Sequence, residues 1–214
     1  MKILAQSSGW IYCFLLFQFI VFNSCNGNSV SEKAMVVLTD TSKIKSMSAE
    51  ALSFCKKNNF NTDFYFVIDM SIHSGKKRFM VWSFNENKIS QQGLVTHGCG
   101  NNGWSGDNTR TSPQFSNTCD SHCSSLGKYK VAERGYSQWG INIKYLLYGL
   151  DSSNSNALKR TIVLHSWEAV TDEDIFPNGS AESWGCPAVS NNFMLKLDEL
   201  LKASDKPLLL WIIN

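Results

Sequence analysis

The sequence predicts a mainly β fold, a sandwich or barrel-like core with a few short helices. Two runs, FYFVIDM at 64–70 and RFMVWSF at 78–84, are dense in aromatic and β-branched side chains, which suit a pleated, packed surface better than a helix. A third, LLLWII at 208–213, is continuously apolar and reads as a buried closing strand. Strands and helices do not alternate regularly, so a parallel α/β sheet is not expected. With 214 residues, 43% of them apolar, the chain can bury one sizeable core, and one domain is expected.

The elements follow in chain order. Lys2 precedes an apolar run from Ile11 to Phe22 broken only by Gln18. The run is shorter than the roughly 20 residues of a membrane-spanning helix and matches the apolar region of an export signal. FNSC at 22–25 looks like a bacterial lipobox with Cys25 as the acylated mature N-terminus; ordinary cleavage nearby is the alternative. Residues 1–25 are read as signal and lipidation site, 26–46 as a polar tether with the short apolar segment AMVVL at 34–38, and 47–214 as the folded domain. The mature protein is expected to leave the cytoplasm for the cell envelope, with a lipid anchor at Cys25.

A short helix is expected over 48–57, with Ser48 as N-cap and Ala51, Leu52 and Cys55 as its apolar positions. SIHSGKK joins the first two strands as a hairpin connection that needs Gly75. Further strands are expected at 89–96, 127–132, 141–149 and 160–165. Between Thr96 and Leu126 the chain turns to Gly, Asn, Ser and Cys, and a loop of that length in a compact domain is usually functional or disordered. Ser190 can cap a last helix with Phe193, Leu197, Leu200 and Leu201 on one face, and Pro207 stops it.

Twenty basic side chains against eighteen acidic ones leave a net charge of +2, with no basic run dense enough to track phosphates, so nucleic acid is not an expected partner. Of seven cysteines, Cys13 and Cys25 fall in the N-terminal segment, which leaves an odd number for the fold. His97, Cys99, Cys119, His122 and Cys123 lack the spacing of a zinc site, so no metal is expected; free thiols are favoured over a disulfide.

In SWGCPAVS at 183–190, Gly185 and Pro187 constrain the backbone on both sides of Cys186 more than a packing cysteine needs. Upstream, the apolar strand IVLH ends at His165. A neutral imidazole within reach of a thiol can take its proton, and the imidazolium so formed favours the thiolate. Alone the pair is ambiguous, because cysteines often fill core space and strand-end histidines often cap or face solvent. TDEDIFPNGSAE at 171–182 lies between them and can fold over a site as a flap.

Further segments occur in a characteristic order: THGCG at 96–100, PQFSN at 113–117, SSLGKY at 124–129, GLDSSNSNALKRTIVLH at 149–165 and SWGCPAV at 183–189. Together they resemble the murein L,D-transpeptidase catalytic domain family, a branch of the YkuD-like L,D-transpeptidases, over about residues 60–214. The resemblance implies an L,D-transpeptidase-like fold and a cofactor-free, cysteine-dependent periplasmic enzyme acting on peptidoglycan stem peptides. Cys186 would be the nucleophile, His165 the base, and the backbone carbonyl of Ser183 the group that orients the imidazole. The Gly185 and Cys186 amides would hold the oxyanion. His97, Ser166, Trp184 and Asn117 would contact substrate, although His97 reads equally as a strand-end cap and Trp184 as a packing residue. Asn154, Asn156 and Arg160 would hold the loop before the His165 strand.

The chain departs from many relatives at Ser166, where they carry glycine, and at Pro187-Ala188, where they carry an arginine two residues after the nucleophile. The same site would serve a carboxypeptidase or endopeptidase, and a non-catalytic wall-binding lipoprotein is the alternative outside enzymes. A monomer is expected.

Overall fold

The computed structural model describes residues 41–214, so the apolar leader, Cys25 and the tether up to residue 40 lie outside the described residues. Its strands are β1 Phe64–Asp69, β2 Phe79–Ser83, β3 Lys88–Gly93, β4 Gly127–Tyr136, β5 Ile143–Gly149, β6 Val163–Ser166, β7 Ala188–Val189 and β8 Leu208–Ile213. They form one sheet in the order β3-β2-β1-β8-β4-β5-β6-β7, barrel-like and nearly closed, so of sandwich and barrel the chain builds the second. The described helices are α1 Thr41–Asn58 and α2 Asn191–Lys202.

β1 shows why its sequence is apolar throughout. Phe66 and Ile68 join Phe193, Met194 and Leu197 of α2 in one cluster, while Tyr65 and Val67 join Ile44, Ala51 and Cys55 of α1 in another. Successive side chains of a strand point to opposite faces, and here both faces are covered. β8 lies between β1, to which it is parallel, and β4, to which it is antiparallel. Its Leu208, Leu209 and Leu210 are buried, and each contributes about 1.5–3 kcal/mol relative to exposure.

Several elements differ from expectation for identifiable reasons. α1 starts at Thr41, so Ser48 lies inside the helix, buried, with its hydroxyl on the Lys45 carbonyl at 2.7 Å, and is not the N-cap. The buried stripe runs Ile44, Ser48, Ala51, Cys55. Its helical spacing was hidden by one hydroxyl, and residues 41–46, read as tether, are its first turns. β6 begins at Val163 because residues 157–161 are turns, with the Ile162 N–H on the Ala157 carbonyl. α2 is capped by Ser190, whose Oγ accepts from the Phe193 N–H at 3.1 Å, and it ends at Lys202, before Pro207. Gly75 is needed for close approach: a Cβ there would lie 2.0 Å from the Asn178 carbonyl oxygen.

Candidate active site

The two-residue strand β7 pairs in parallel with β6, setting Ala188 opposite His165 and Val189 opposite Ser166. Parallel partners need a long connection, and residues 167–187 supply it. The register brings Cys186, two residues before Ala188, beside Val163, two residues before His165. The Val163 N–H donates to Cys186 Sγ at 3.5 Å, and the thiol donates to the Thr161 carbonyl at 3.7 Å. Thr161 has φ +57°, a strained conformation for a β-branched residue.

His165 is buried, and its Nδ1 lies 2.9 Å from the Ser166 carbonyl oxygen. A carbonyl only accepts, so Nδ1 carries the proton and Nε2 keeps the lone pair of a base. Burial, aided by Lys144, holds the imidazole below its ordinary 6.5, against the opposing Ser166 carbonyl. Burial also pushes the Cys186 thiol above 9.0, although the Val163 N–H, Arg160 and Lys144 favour the thiolate. At neutral pH the resting pair is thus a thiol and a neutral imidazole. The preformed thiolate expected of an activated pair is not what the surroundings favour.

The backbone at Cys186 is braced by two hydroxyls. Thr96 Oγ1 donates to the Cys186 carbonyl at 2.8 Å and accepts from the Ala188 N–H at 2.9 Å. Ser183 Oγ donates to the same carbonyl at 2.7 Å and accepts from the Gly185 N–H at 3.1 Å. Two assignments change as a result. The Ser183 carbonyl accepts from the Cys99 N–H at 2.8 Å, so the carbonyl orienting the imidazole is that of Ser166. The Gly185 amide is engaged by Ser183, and glycine is required there because φ is +106° and a Cβ would sit 2.5 Å from the Cys123 carbonyl oxygen.

Of the residues expected to contact substrate, Ser166 and His97 are buried, and Asn117 is half-buried and engaged with neighbouring loops. Ser166 is fully buried, and its Oγ accepts from the Ile141 N–H at 3.0 Å. Asn117 joins two loops: its amide donates to the Ser152 carbonyl at 3.0 Å and its Oδ1 accepts from the Asn156 N–H at 3.0 Å. His97 is 0% exposed and belongs to a buried polar chain. Arg78 donates to its Nδ1 at 2.7 Å, its Nε2–H donates to Thr109 Oγ1 at 2.8 Å, and Thr109 donates to Glu182 Oε1 at 2.7 Å. Burial, with Arg78 alongside, lowers the His97 pKa to about 3. Trp184 is the exception, 60% exposed and stacked on His122.

Asn154, Asn156 and Arg160 hold loops as expected: Arg160 alone reaches the Ser116 and Cys123 carbonyls at 3.0 and 2.6 Å. The 171–182 segment is not a flap over Cys186. Its Ile175 and Phe176 amides donate to the Gly75 carbonyl, and its Gly179 amide donates to Asp107. The long 96–126 loop is laced to the loop that carries Cys186, with Gly98 bridged to Ser183 and the Ser105 N–H on the Glu182 carbonyl. Cys55, Cys99, Cys119 and Cys123 carry free thiols. Thr96, Arg78, Thr109 and Glu182 went unrecognised in the sequence, where only the charge opening RFMVWSF hinted at a buried polar site.

The barrel-like sheet places Cys186, in the loop just before β7, beside the histidine-bearing strand β6, and the match to a catalytic-domain family makes this a YkuD-type enzyme. The chain belongs to the L,D-transpeptidase catalytic domain family, whose sequence profile matches residues 38–210. No curated protein sequence matches it. Among solved structures it is similar to the helical cell shape determining protein Pgp2 from Campylobacter jejuni, at 12% identity over 78% of this chain and 55% of that one, TM-score 0.43. Bd1075 from Bdellovibrio bacteriovorus matches at 17% identity over 72% and 49%, TM-score 0.41. An L,D-transpeptidase from Xylanimonas cellulosilytica matches at 10% over 75% and 68%, TM-score 0.37. The chain spans about half the length of the first two.

Proposed function

We propose that this protein is a peptidoglycan L,D-transpeptidase with Cys186 as nucleophile and His165 as base. The observation that carries the reading is the β6–β7 register, with Cys186 Sγ at the Val163 amide and His165 two residues further along the same strand. The donor is a stem tetrapeptide. As Sγ attacks the carbonyl between the third, diamino acid residue and the terminal D-Ala, His165 Nε2 takes the thiol proton. The tetrahedral oxyanion forms beside the Cys186 amide, on a backbone already immobilised by Thr96 and Ser183. Collapse breaks the C–N bond, His165 returns the proton to the departing D-Ala amine, and a thioester remains. An acceptor amine then attacks the thioester, giving its proton to His165 and regenerating the thiol.

Purified protein incubated with tetrapeptide muropeptides tests the reading by product mass. Loss of D-Ala with formation of cross-linked dimers is expected; loss of D-Ala with free tripeptides alone would make the enzyme a carboxypeptidase. No D-Ala release by folded protein would overturn the reading. Cys186→Ala should abolish release, and His165→Gln should slow it by roughly 10²–10⁴-fold.

The enzyme is further proposed to act at the periplasmic face of the envelope, anchored through an acylated Cys25, the reading supported by FNSC after a short apolar run. Cys25→Ala should move it to the soluble envelope fraction. A wild-type protein already soluble, with an unacylated N-terminus elsewhere, would sink the anchor.

A further inference from the structure

Beside the nucleophile loop the fold gathers four tryptophans that the acyl-transfer chemistry does not use. Trp167, 8% exposed, is packed with Leu94, Val170 and Ala188, the last being the β7 residue opposite His165. Trp104 lies parallel on it, centroids 5.1 Å apart and planes at 20°. Trp139 meets both, at 5.8 Å from Trp104 and 5.9 Å from Trp167. Trp184, two residues before Cys186, lies 6.3 Å from Trp104 and stacks at 5.3 Å on His122. The base of the group is rigid, yet Trp104, Trp139 and Trp184 remain 44%, 37% and 60% exposed.

Large indoles bury well, and three held together in water mark a recognition surface. The chemistry of the surface narrows its ligand. Its apolar elements are flat rings without exposed aliphatic neighbours in their segments, NNGWSG at 101–106 and SQWGIN at 137–142. Beside Trp104 and Trp139 the exposed polar residues are Asn101, Asn102, Ser105, Gln138 and Asn142, all uncharged donors and acceptors, and the exposed charge next to Trp167 is the carboxylate Glu168. A phosphate or carboxylate ligand would meet the Glu168 carboxylate and no lysine or arginine in these segments. A pyranose has the complementary make-up: an apolar C–H face that sits on the electron-rich face of an indole, and an equatorial rim of hydroxyls and amides that needs neutral hydrogen-bonding partners.

The geometry points to Trp104, Trp139 and Trp184 as a saccharide platform that seats pyranose rings of the glycan strand next to Cys186. The inference rests on the peptidoglycan reading above for the identity of the sugar, N-acetylated and β-1,4-linked. The stem peptide is tethered to that strand, so seating the sugar raises the local concentration of the scissile bond at the thiol.

The test uses the full chain carrying Cys186→Ala and a peptide-free tetramer of N-acetylglucosamine, read by tryptophan fluorescence and by ligand-observed NMR. Saturable binding is expected, weakened at least tenfold by Trp104→Ala or Trp139→Ala and also weakened by Trp184→Ala, with each variant's thermal melt checked. Trp104→Phe should recover part of the affinity because a flat ring is kept, whereas Trp104→Leu should not. Leu195→Ala, exposed on α2, should leave binding unchanged. No binding, binding indifferent to all three tryptophans, or equal binding by the Phe and Leu variants would overturn the platform. So would quenching by a sugar-free stem tetrapeptide in place of the oligosaccharide. Since no bond is broken in binding, D-Ala release is read separately on the wild-type protein with tetrapeptide muropeptides: sugar binding by the Cys186→Ala chain with no D-Ala release by the wild type would refute the enzyme reading alone, and wild-type D-Ala release without sugar binding would refute the platform alone.

Discussion

At Cys186, desolvation and polarisation act in opposite directions. Burial lifts the thiol above its ordinary 9.0 while the Val163 N–H donates to the sulfur. On the proposed mechanism such a thiol gives its proton to His165 during attack and is not stored as thiolate. Alkylation by iodoacetamide should therefore be slower at pH 7 than for a free cysteine peptide and still be rising at pH 9. A plateau below pH 8 would show a preformed ion pair. D-Ala release should follow the other partner. The base form of His165 is present above its folded pKa, which lies below 6.5, so turnover persists in mild acid and falls as pH drops through that value.

At the scale of elements, β7 is too short to hold its own place. Two residues give it few ladder hydrogen bonds, and Thr96 supplies what is lacking by accepting from the Ala188 N–H and donating to the Cys186 carbonyl. Thr96→Val keeps the shape but orphans a buried amide, and should destabilise the fold by about 1–3 kcal/mol. It should also slow D-Ala release, while Thr96→Ser preserves both; chemical denaturation alongside the muropeptide assay reads the two effects. A Thr96→Val protein of wild-type stability and rate would mean that β7 is held by its packing alone. The N-cap of α2 is a separate support: Ser190→Ala should lose about 1 kcal/mol, measured by the same denaturation curves.

Across the whole molecule, the chain from Arg78 through His97 and Thr109 to Glu182 ties the start of β2 to the loop that carries Cys186. It depends on a neutral His97, whose folded pKa of about 3 lies below its ordinary 6.5. The sign follows directly: the unfolded chain binds the extra proton first, so the stability this neutrality secures is complete above pH 6.5 and is lost as pH falls towards 3. At about 1.4 kcal/mol per pH unit, the wild type should lose roughly 2 kcal/mol between pH 7 and 5 that His97→Gln does not lose. Urea unfolding of both proteins at the two pH values checks this, and parallel curves would mean that His97 is accessible to protons.

Local pattern alone determined the strand segments and the Ser190 cap, because periodicity and capping chemistry are properties of neighbouring residues, whereas Cys186 and His165 stood out only through the order of motifs that carries the family resemblance. The start of α1 escaped because Ser48 interrupts an apolar stripe that only packing against Tyr65 and Val67 reveals as continuous. The roles of Ser183, Gly185, Ser166, Asn117 and His97 were not decided by their types either. Each carries polar atoms able to face a substrate, and where those atoms point depends on partners far along the chain: Cys99 for the Ser183 carbonyl, Ile141 for Ser166, Asn156 for Asn117, and Arg78 for His97. The tryptophans are likewise scattered at 104, 139, 167 and 184 and become one surface only when the sheet sets their loops side by side. Sequence carries the identity of groups; hydrogen-bond partners and ring contacts are long-range, and only the folded chain supplies them.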